Sequence, residues 1–268
     1  MRLRQILLPL LLAATLSACA TRPPATDREA VAEFEANNDP AEPFNRAMFE
    51  VNRVVDNVVL IPTATAYRTL VPEPVRMGVR NALGNLRAPT ILLNDVLQGN
   101  GARAQITAAR FLINSTLGLG GLFDVAEWQF GLRGHSEDFG QTLAVWGVGE
   151  GPFLFVPVFG PTNPRDLVGT GVDAVASPWF WFGQGIEVEA LRWARVGLTV
   201  VDTRESLLDS LAALERTSLD PYATLRSAYR QRRNAEIRNQ GFQAPEAATG
   251  SGFGTGTGVP QQNLAPAR

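Results

Sequence analysis

The sequence predicts an all-α protein, a single helical domain with no substantial sheet. Three observations lead there. Apolar residues recur at helical spacing, as in Phe44, Ala47, Met48, Val51, Val55 and Val58, the pattern of one buried helix face. Pro and Gly punctuate such segments, with Pro repeatedly placed just after an Asp or Asn, the order of a helix cap and first turn. The chain has 268 residues, of which 45% are hydrophobic, enough for one substantial domain or two small ones.

Composition narrows the function. The formal net charge is -2, so nothing electrostatic favours nucleic acid as a partner. All 24 basic residues are Arg. That reads either as genomic bias or as selection for Arg–phosphate contacts, since guanidinium matches phosphate geometry. One Cys and one His make neither an internal disulfide nor a Cys/His zinc site.

The N-terminus is a targeting segment. Arg2 and Arg4 precede a short apolar run, Ile6 to Leu16, which is too short to span a bilayer. It ends in Leu16-Ser17-Ala18-Cys19. This resembles the lipobox of bacterial lipoproteins, in which the cysteine is acylated and becomes the mature N-terminus. Each buried methylene of such an anchor contributes about 0.8 kcal/mol, so several chains hold durably where one is marginal. Ala20 follows the cysteine, not the Asp that retains lipoproteins in the inner membrane, and the resemblance therefore implies the outer membrane. Residues 1–18 read as signal peptide and 19–38 as a flexible tether. The tether's later part, around Val31 to Ala36, is able to form a helix.

Residues 39–240 read as the helical domain. Asp39-Pro40 is expected to cap the first helix and Pro62 to stop it. Pro72 and Pro74 bracket the next start, with Val75, Val79, Ala82, Leu83 and Leu86 on its apolar face, and Pro89 is expected to begin a further short helix ending near Gly99. In Gly101–Leu117, Arg103, Thr107, Arg110 and Asn114 fall at steps of four, three and four, on one narrow stripe. The rest of that helix is largely apolar, the inverse of an ordinary surface helix. Two readings stay open: a core helix whose seam is satisfied by neighbouring side chains, or a seam facing a wet internal channel. Gly118 suits a left-handed C-cap. Asp124 is expected to cap Val125–Phe130.

Asp138 is expected to cap a short helix carrying Phe139, Leu143 and Trp146. Gly147, Gly149 and Gly151 follow, then the very apolar Phe153-Leu154-Phe155-Val156, which Pro157 and Pro161 deny a regular interior. Such a loop either closes over the core or lies against lipid. Thr162-Asn163-Pro164 reads as the start of a helix running to about Ala176. Pro178-Trp179-Phe180-Trp181-Phe182 fits a membrane–water interface or a core plug. Glu187–Val200 is helical, and Asp202-Thr203-Arg204-Glu205 resembles a capping box. Asp220-Pro221 starts the last helix, with Tyr222, Leu225 and Tyr229 on its buried face. Arg226, Arg230, Arg232 and Arg233 near its end read as cations favoured by the helix C-terminus or as contacts to lipid phosphate or a partner. The Gly-, Ala-, Pro- and Gln-rich residues 241–268 read as a disordered tail.

No GxSxG, HExxH or P-loop is present. His135 lies in a polar loop, Arg133 to Glu137. Glu137 and Asp138 are adjacent rather than set around a cleft, so no catalytic residues, metal or cofactor are expected.

Several stretches together resemble one family. They are Asn38-Asp39-Pro40 with Phe44-Asn45-Arg46, Pro72 to Arg76, Arg110 to Gly121, Asp138 to Leu143 with Gly147-Val148-Gly149 and Gly151-Pro152, and Asp220-Pro221-Tyr222. With the lipobox, they resemble the MlaA (VacJ) outer-membrane lipoproteins over nearly all of residues 38–240. The resemblance implies a ring-like, donut-shaped helical domain with a central amphipathic channel, in the inner leaflet of the outer membrane. It implies association with trimeric porins. It implies removal of mislocalised glycerophospholipids from the outer leaflet and their transfer to a soluble periplasmic lipid carrier, with no enzymatic activity. Cys19 matches the lipid anchor. Gly147, Gly149 and Gly151 match a gating loop, and Phe44-Asn45 a motif near it. The seam of Arg103, Thr107, Arg110 and Asn114 would then line a path for headgroups, Arg donating to phosphodiesters. The alternative functions are a structural, porin-associated lipoprotein that moves no lipid, and a membrane-bound phospholipase-like enzyme.

Overall fold

The computed structural model describes residues 23–239 apart from Ala25 and residues 182–184. Cys19, the signal peptide and the tail therefore lie outside the described residues, as does Phe182. Helix α1 spans Arg28–Asn37, within the segment read as a tether. Helix α2, Glu42–Val55, passes through a π-helical turn, Asp56–Leu60, into α3, Ile61–Leu70. Pro62 thus does not stop the helix. Proline is tolerated in the first turn after a fresh start, and the π turn provides one: Ile61 N–H bonds back to Asp56 O.

Helix α4 runs unbroken over Glu73–Leu97 with Pro89 inside it, where the sequence suggested two helices. An interior proline removes one ladder bond and disturbs the preceding turn. The carbonyl that loses its donor is that of Asn85; one residue on, the Leu86 carbonyl accepts 2.6 Å from the Trp179 indole, which ties this part of the helix to the Pro178–Trp181 segment. Helix α5 is Gly101–Thr116, α6 Val125–Phe130 and α7 Phe139–Val145. A two-stranded antiparallel hairpin follows, β1 Leu154–Val156 and β2 Gly160–Thr162, with Phe155 opposite Pro161. Then come α8 Pro164–Ala176, α9 Pro178–Trp181, α10 Ile186–Ser206, α11 Leu208–Thr217 and α12 Pro221–Ile237.

Side-chain caps fix five of the helix starts. The side chains of Asn100, Asp124, Asp138, Asn163 and Asp220 each accept from a backbone N–H three residues on, supplying a partner to a donor the helix leaves orphaned. Three expectations fail. Asp39 caps nothing; Ala41 precedes α2 without a side-chain cap bond, and Asp39 is a buried acceptor for Tyr222, Arg226 and Asn45. Asp202–Glu205 is no capping box but lies inside α10. Gly118 is not the left-handed residue, a role taken by Leu119, Gly120 and Gly121. It is glycine because a Cβ there would sit 2.3 Å from Phe123 O.

The chain is greasy outside and polar inside. The largest fully buried side chains are Gln141, Glu137, Asn45, Asn94, Thr142 and Asp95. An aromatic core gathers Phe153, Phe155 and Tyr222 with Phe49 and Tyr229, in edge-on contacts such as Phe49–Phe155 at 5.6 Å. Arginine–carboxylate pairs join the elements. Arg204 of α10 grips Asp56 at 2.6 and 2.7 Å, fixing the π turn. Glu205 of α10 receives Arg68 of α3 and Arg76 and Arg80 of α4. Burial pushes its carboxyl up, but the Arg68 hydrogen bond and the surrounding guanidinium charges outweigh that and hold it down.

Candidate functional site

The candidate site is built on α5 and the segments facing it. Arg103 is almost fully buried and pairs with Glu137. Its Nε stands 3.8 Å from Asp95. Thr107 donates to Asp95 at 2.6 Å, and His135 Nε2 lies 2.9 Å from the same carboxylate. Gln98 bonds Glu137 and Thr142, Thr142 donates to Asn94, and Asn94 donates to Asp173 at 2.9 Å. A polar chain therefore runs from α5 through α4 and α7 to α8. Burial pushes the carboxyls of Glu137 and Asp173 up, in spite of the hydrogen bonds they accept.

The lower half of the seam is separate. Arg110 donates to the Leu132 carbonyl and, at 2.7 Å, to Asp124. Asn114 donates to Asp124 at 2.9 Å and accepts from Ala126 N–H at 2.9 Å. Burial raises Asp124, but Arg110 and Asn114 prevail and leave it below the usual carboxylate range. Thr107, Arg110 and Asn114 also open on a pocket of ≈ 170 Å³, faced by Arg80 and Asn85 of α4 and by His135. Arg103 does not line it. All four seam residues bond to neighbouring groups, and Thr107, Arg110 and Asn114 also line the pocket.

The glycine loop has anchored ends. Trp146 Nε1 donates to Leu97 O at 3.1 Å. Glu150 accepts from Arg230 at 3.0 Å and from Asn38. Gly147 ends α7: its N–H bonds Ala144 O, Val148 N–H bonds Leu143 O, and its φ is 90°, a Schellman stop that requires glycine. Gly151 also has positive φ, whereas Gly149 does not, and a Cβ on Gly149 would meet nothing within 4 Å. The apolar run beyond divides between the two environments open to it. Phe153 and Phe155 enter the core, while Val158 and Phe159 at the hairpin tip are exposed.

The Phe44–Asn45 pair is split by the helix: Phe44 faces out and Asn45 is fully buried. Asn45 donates to Asp39 and to Phe153 O and accepts from Phe155 N–H at 2.9 Å. Asn52, two turns on, donates to Val156 O and accepts from Val158 N–H at 2.6 Å. Phe155 sends its N–H to Asn45 and not across the ladder, so Pro161 opposite it is not called on for the donor it lacks.

Sequence reasoning missed Asn52, Asp95, Glu137 as an ion-pair partner, and the true work of the last helix. Arg226 pairs with Asp39, Arg230 with Glu150, and Arg233 with both Asp138 and Asp166. These cations clasp the interior. Burial raises Asp138, but Arg233 overrides it and brings the carboxyl to about 2.

A family model described as MlaA lipoprotein matches residues 37–236. The chain belongs to the MlaA lipoprotein family. It is 37% identical over 235 residues to the Haemophilus influenzae protein named intermembrane phospholipid transport system lipoprotein MlaA, covering 86% of this chain and 89% of that one. It is 36% identical over 215 residues to the Escherichia coli K12 protein of the same name, covering 79% and 83%. A solved structure described as the structural basis for maintenance of bacterial outer membrane lipid asymmetry matches with a TM-score of 0.65 and 37% identity, over 74% of this chain and 98% of that one. No helix among the described residues is long and apolar enough to cross a membrane.

Proposed function

We propose that this MlaA-family protein removes mislocalised glycerophospholipids from the outer leaflet of the outer membrane and passes them to a soluble periplasmic lipid carrier. On this reading it is anchored through acylated Cys19 at the periplasmic face and sits beside a trimeric porin. Its helical body forms a ring around an amphipathic channel. It makes and breaks no covalent bond. The names of its relatives support phospholipid as cargo.

One observation carries the reading: the inversion of the fold. Exposed Val, Leu, Phe and Trp side chains recur on α2, α4, α8 and α10, while among the described residues the largest side chains with no exposure are polar and more polar or charged residues than apolar ones are buried. Water penalises such an exterior, whereas lipid does not. A polar interior inside an apolar shell is what lets a phosphodiester headgroup cross a lipid-embedded body. Arg110, at the ≈ 170 Å³ pocket, offers a planar fork suited to phosphate. Asp124 is its ground-state partner, so a headgroup exchanges with a carboxylate and is not held. Gly149, between the anchors Trp146 and Glu150, is the joint of the gate.

The test uses the full lipoprotein in vesicles of phosphatidylethanolamine and phosphatidylglycerol containing a fluorescent phospholipid, with the periplasmic carrier added. Transfer to the carrier above that from protein-free vesicles is expected. Carrier that stays empty leaves the structural, porin-associated reading, and released lyso-lipid would point to an enzyme.

A further inference from the structure

A second feature of the molecule has the chemistry of a lipid site. Val79, Leu83 and Leu86 form one stripe of α4, and Leu191, Ala194 and Leu198 form one stripe of α10. Between them runs a groove of ≈ 510 Å³, within the ~300–1,000 Å³ range of small-molecule sites. The two helices are antiparallel. At one end they are locked by Arg76 and Arg80 against Asp202 and Glu205. The groove lies towards the other end, where Trp179 lines it and bonds to Leu86 O.

The only charged lining side chains are Arg192 and Arg195. Arg192 reaches the carbonyls of Trp179 and Phe180. Arg195 has no carboxylate partner among the described residues, and Glu187 and Glu189 of the same helix do not line the groove. In a protein that pairs its buried arginines with acids, a half-buried cation left over a hydrocarbon floor calls for an anion attached to hydrocarbon. The exposed aromatic rings of Phe180 and Trp181 adjoin this end, as suits a bilayer interface.

We infer that the α4–α10 groove binds one acyl chain of a glycerophospholipid, with the lipid phosphate at Arg195. The site is distinct from the α5 seam, none of whose four residues lines it. It holds a lipid whether or not lipid passes along the seam.

The test is photolabelling of the full lipoprotein in phosphatidylethanolamine–phosphatidylglycerol vesicles doped with phosphatidylglycerol that carries a diazirine at the end of one acyl chain. Leu112 and Trp128 are 62% and 61% exposed and report general lipid contact. Peptides containing Leu83 and Leu86, and those containing Leu191 and Leu198, are expected to be labelled several-fold above them. Arg195→Glu is expected to lower groove labelling roughly tenfold, the loss of a charge-assisted contact, and to leave Leu112 labelling unchanged. Ala194→Trp fills the floor and is expected to abolish it. If that variant misfolds by circular dichroism, Arg195→Glu still decides. Groove labelling no higher than at Leu112, or undiminished in Arg195→Glu, overturns the inference, as does a porin crosslinked to the groove in native membranes. Labelling without transfer to the carrier would sink the proposed function and leave this site standing, and transfer without groove labelling would do the reverse.

Discussion

Asn45 and Asn52 stand two turns apart on α2, and each grips the hairpin segment with both ends of its amide. Asn45 takes Phe153 O and Phe155 N–H, and Asn52 takes Val156 O and Val158 N–H. A side-chain amide here replaces a neighbouring strand, so a two-stranded ribbon that is marginal alone becomes part of a helical body. Asn45 thereby fixes the start of the hairpin segment to α2.

Asn45→Ala orphans one buried N–H and one buried carbonyl. It is expected to destabilise the fold by about 2–3 kcal/mol, read from urea midpoints. Asn52→Ala, nearer the surface, is expected to cost about 1 kcal/mol. Equal costs at the two positions would mean that the grip is not what buries Phe153 and Phe155.

Asp138 gives the protein a measurable acid limit. Its folded carboxyl titrates at about 2, below the ordinary value of about 3.9 for an unfolded chain. A depressed acid contributes its stability above the unfolded value and loses it as pH falls through the folded one. Stability is expected to drop by roughly 2 kcal/mol between about pH 4 and pH 2 from this group. Glu137 and Asp173, pushed up by burial, act with the opposite sign, so the clean measurement is a difference. Asn still caps a helix, and Asp138→Asn should flatten the profile over that window. An unchanged pH profile would remove Arg233 as the carboxylate's keeper.

The caps at Asp124, Asp138, Asn163 and Asp220 were legible because a cap is local: a side chain meets an N–H three residues away. The buried face of α12, with Tyr222, was legible from spacing. What escaped depends on distant partners. Pro62 reads as a break because nothing nearby announces the π turn before it, and Pro89 because the packing that carries α4 through it comes from distant segments. Asp202 and Glu205 fit a capping box in spacing, yet the arginines that claim them come from α3 and α4. The seam on α5 was legible as a stripe, but its partners Asp95, Glu137 and Asp124 come from three other segments.

That geometry changes how the seam is probed. Arg103→Glu sets a third acid beside Glu137 and Asp95 and is expected to unfold the protein, since breaking a buried pair costs about 3–5 kcal/mol. Arg110→Gln keeps donors at the pocket and removes the charge. It is expected to slow transfer to the carrier several-fold while the melting temperature falls only modestly. Transfer at the wild-type rate would take Arg110 out of the headgroup path.

The three glycines of the loop should separate. Gly147→Ala strains a left-handed helix stop and is expected to cost about 1 kcal/mol. Gly149→Ala has open space and no such backbone requirement, and its stability is expected to stay unchanged. Gly149→Pro, which stiffens the joint without loading the core, is expected to alter lipid transfer at near-normal stability. Wild-type transfer in Gly149→Pro would reduce the loop to packing.

Val158 holds φ at 71°, a left-handed conformation that a β-branched residue adopts only under strain of about 1–3 kcal/mol. It is also 68% exposed beside Phe159 at 71%, so neither packing nor solvent explains its choice. On the proposed reading the tip rests in lipid, where the apolar side chain would offset the backbone cost. Asn tolerates the left-handed region, and Val158→Asn is expected to raise the melting temperature in detergent while weakening vesicle binding and slowing lipid transfer. Fluorescence quenching by brominated lipids, read from a Trp placed at Phe159, measures the insertion directly. An unquenched Trp in the wild-type background would place the tip in water and leave the strain at Val158 without a purpose in lipid.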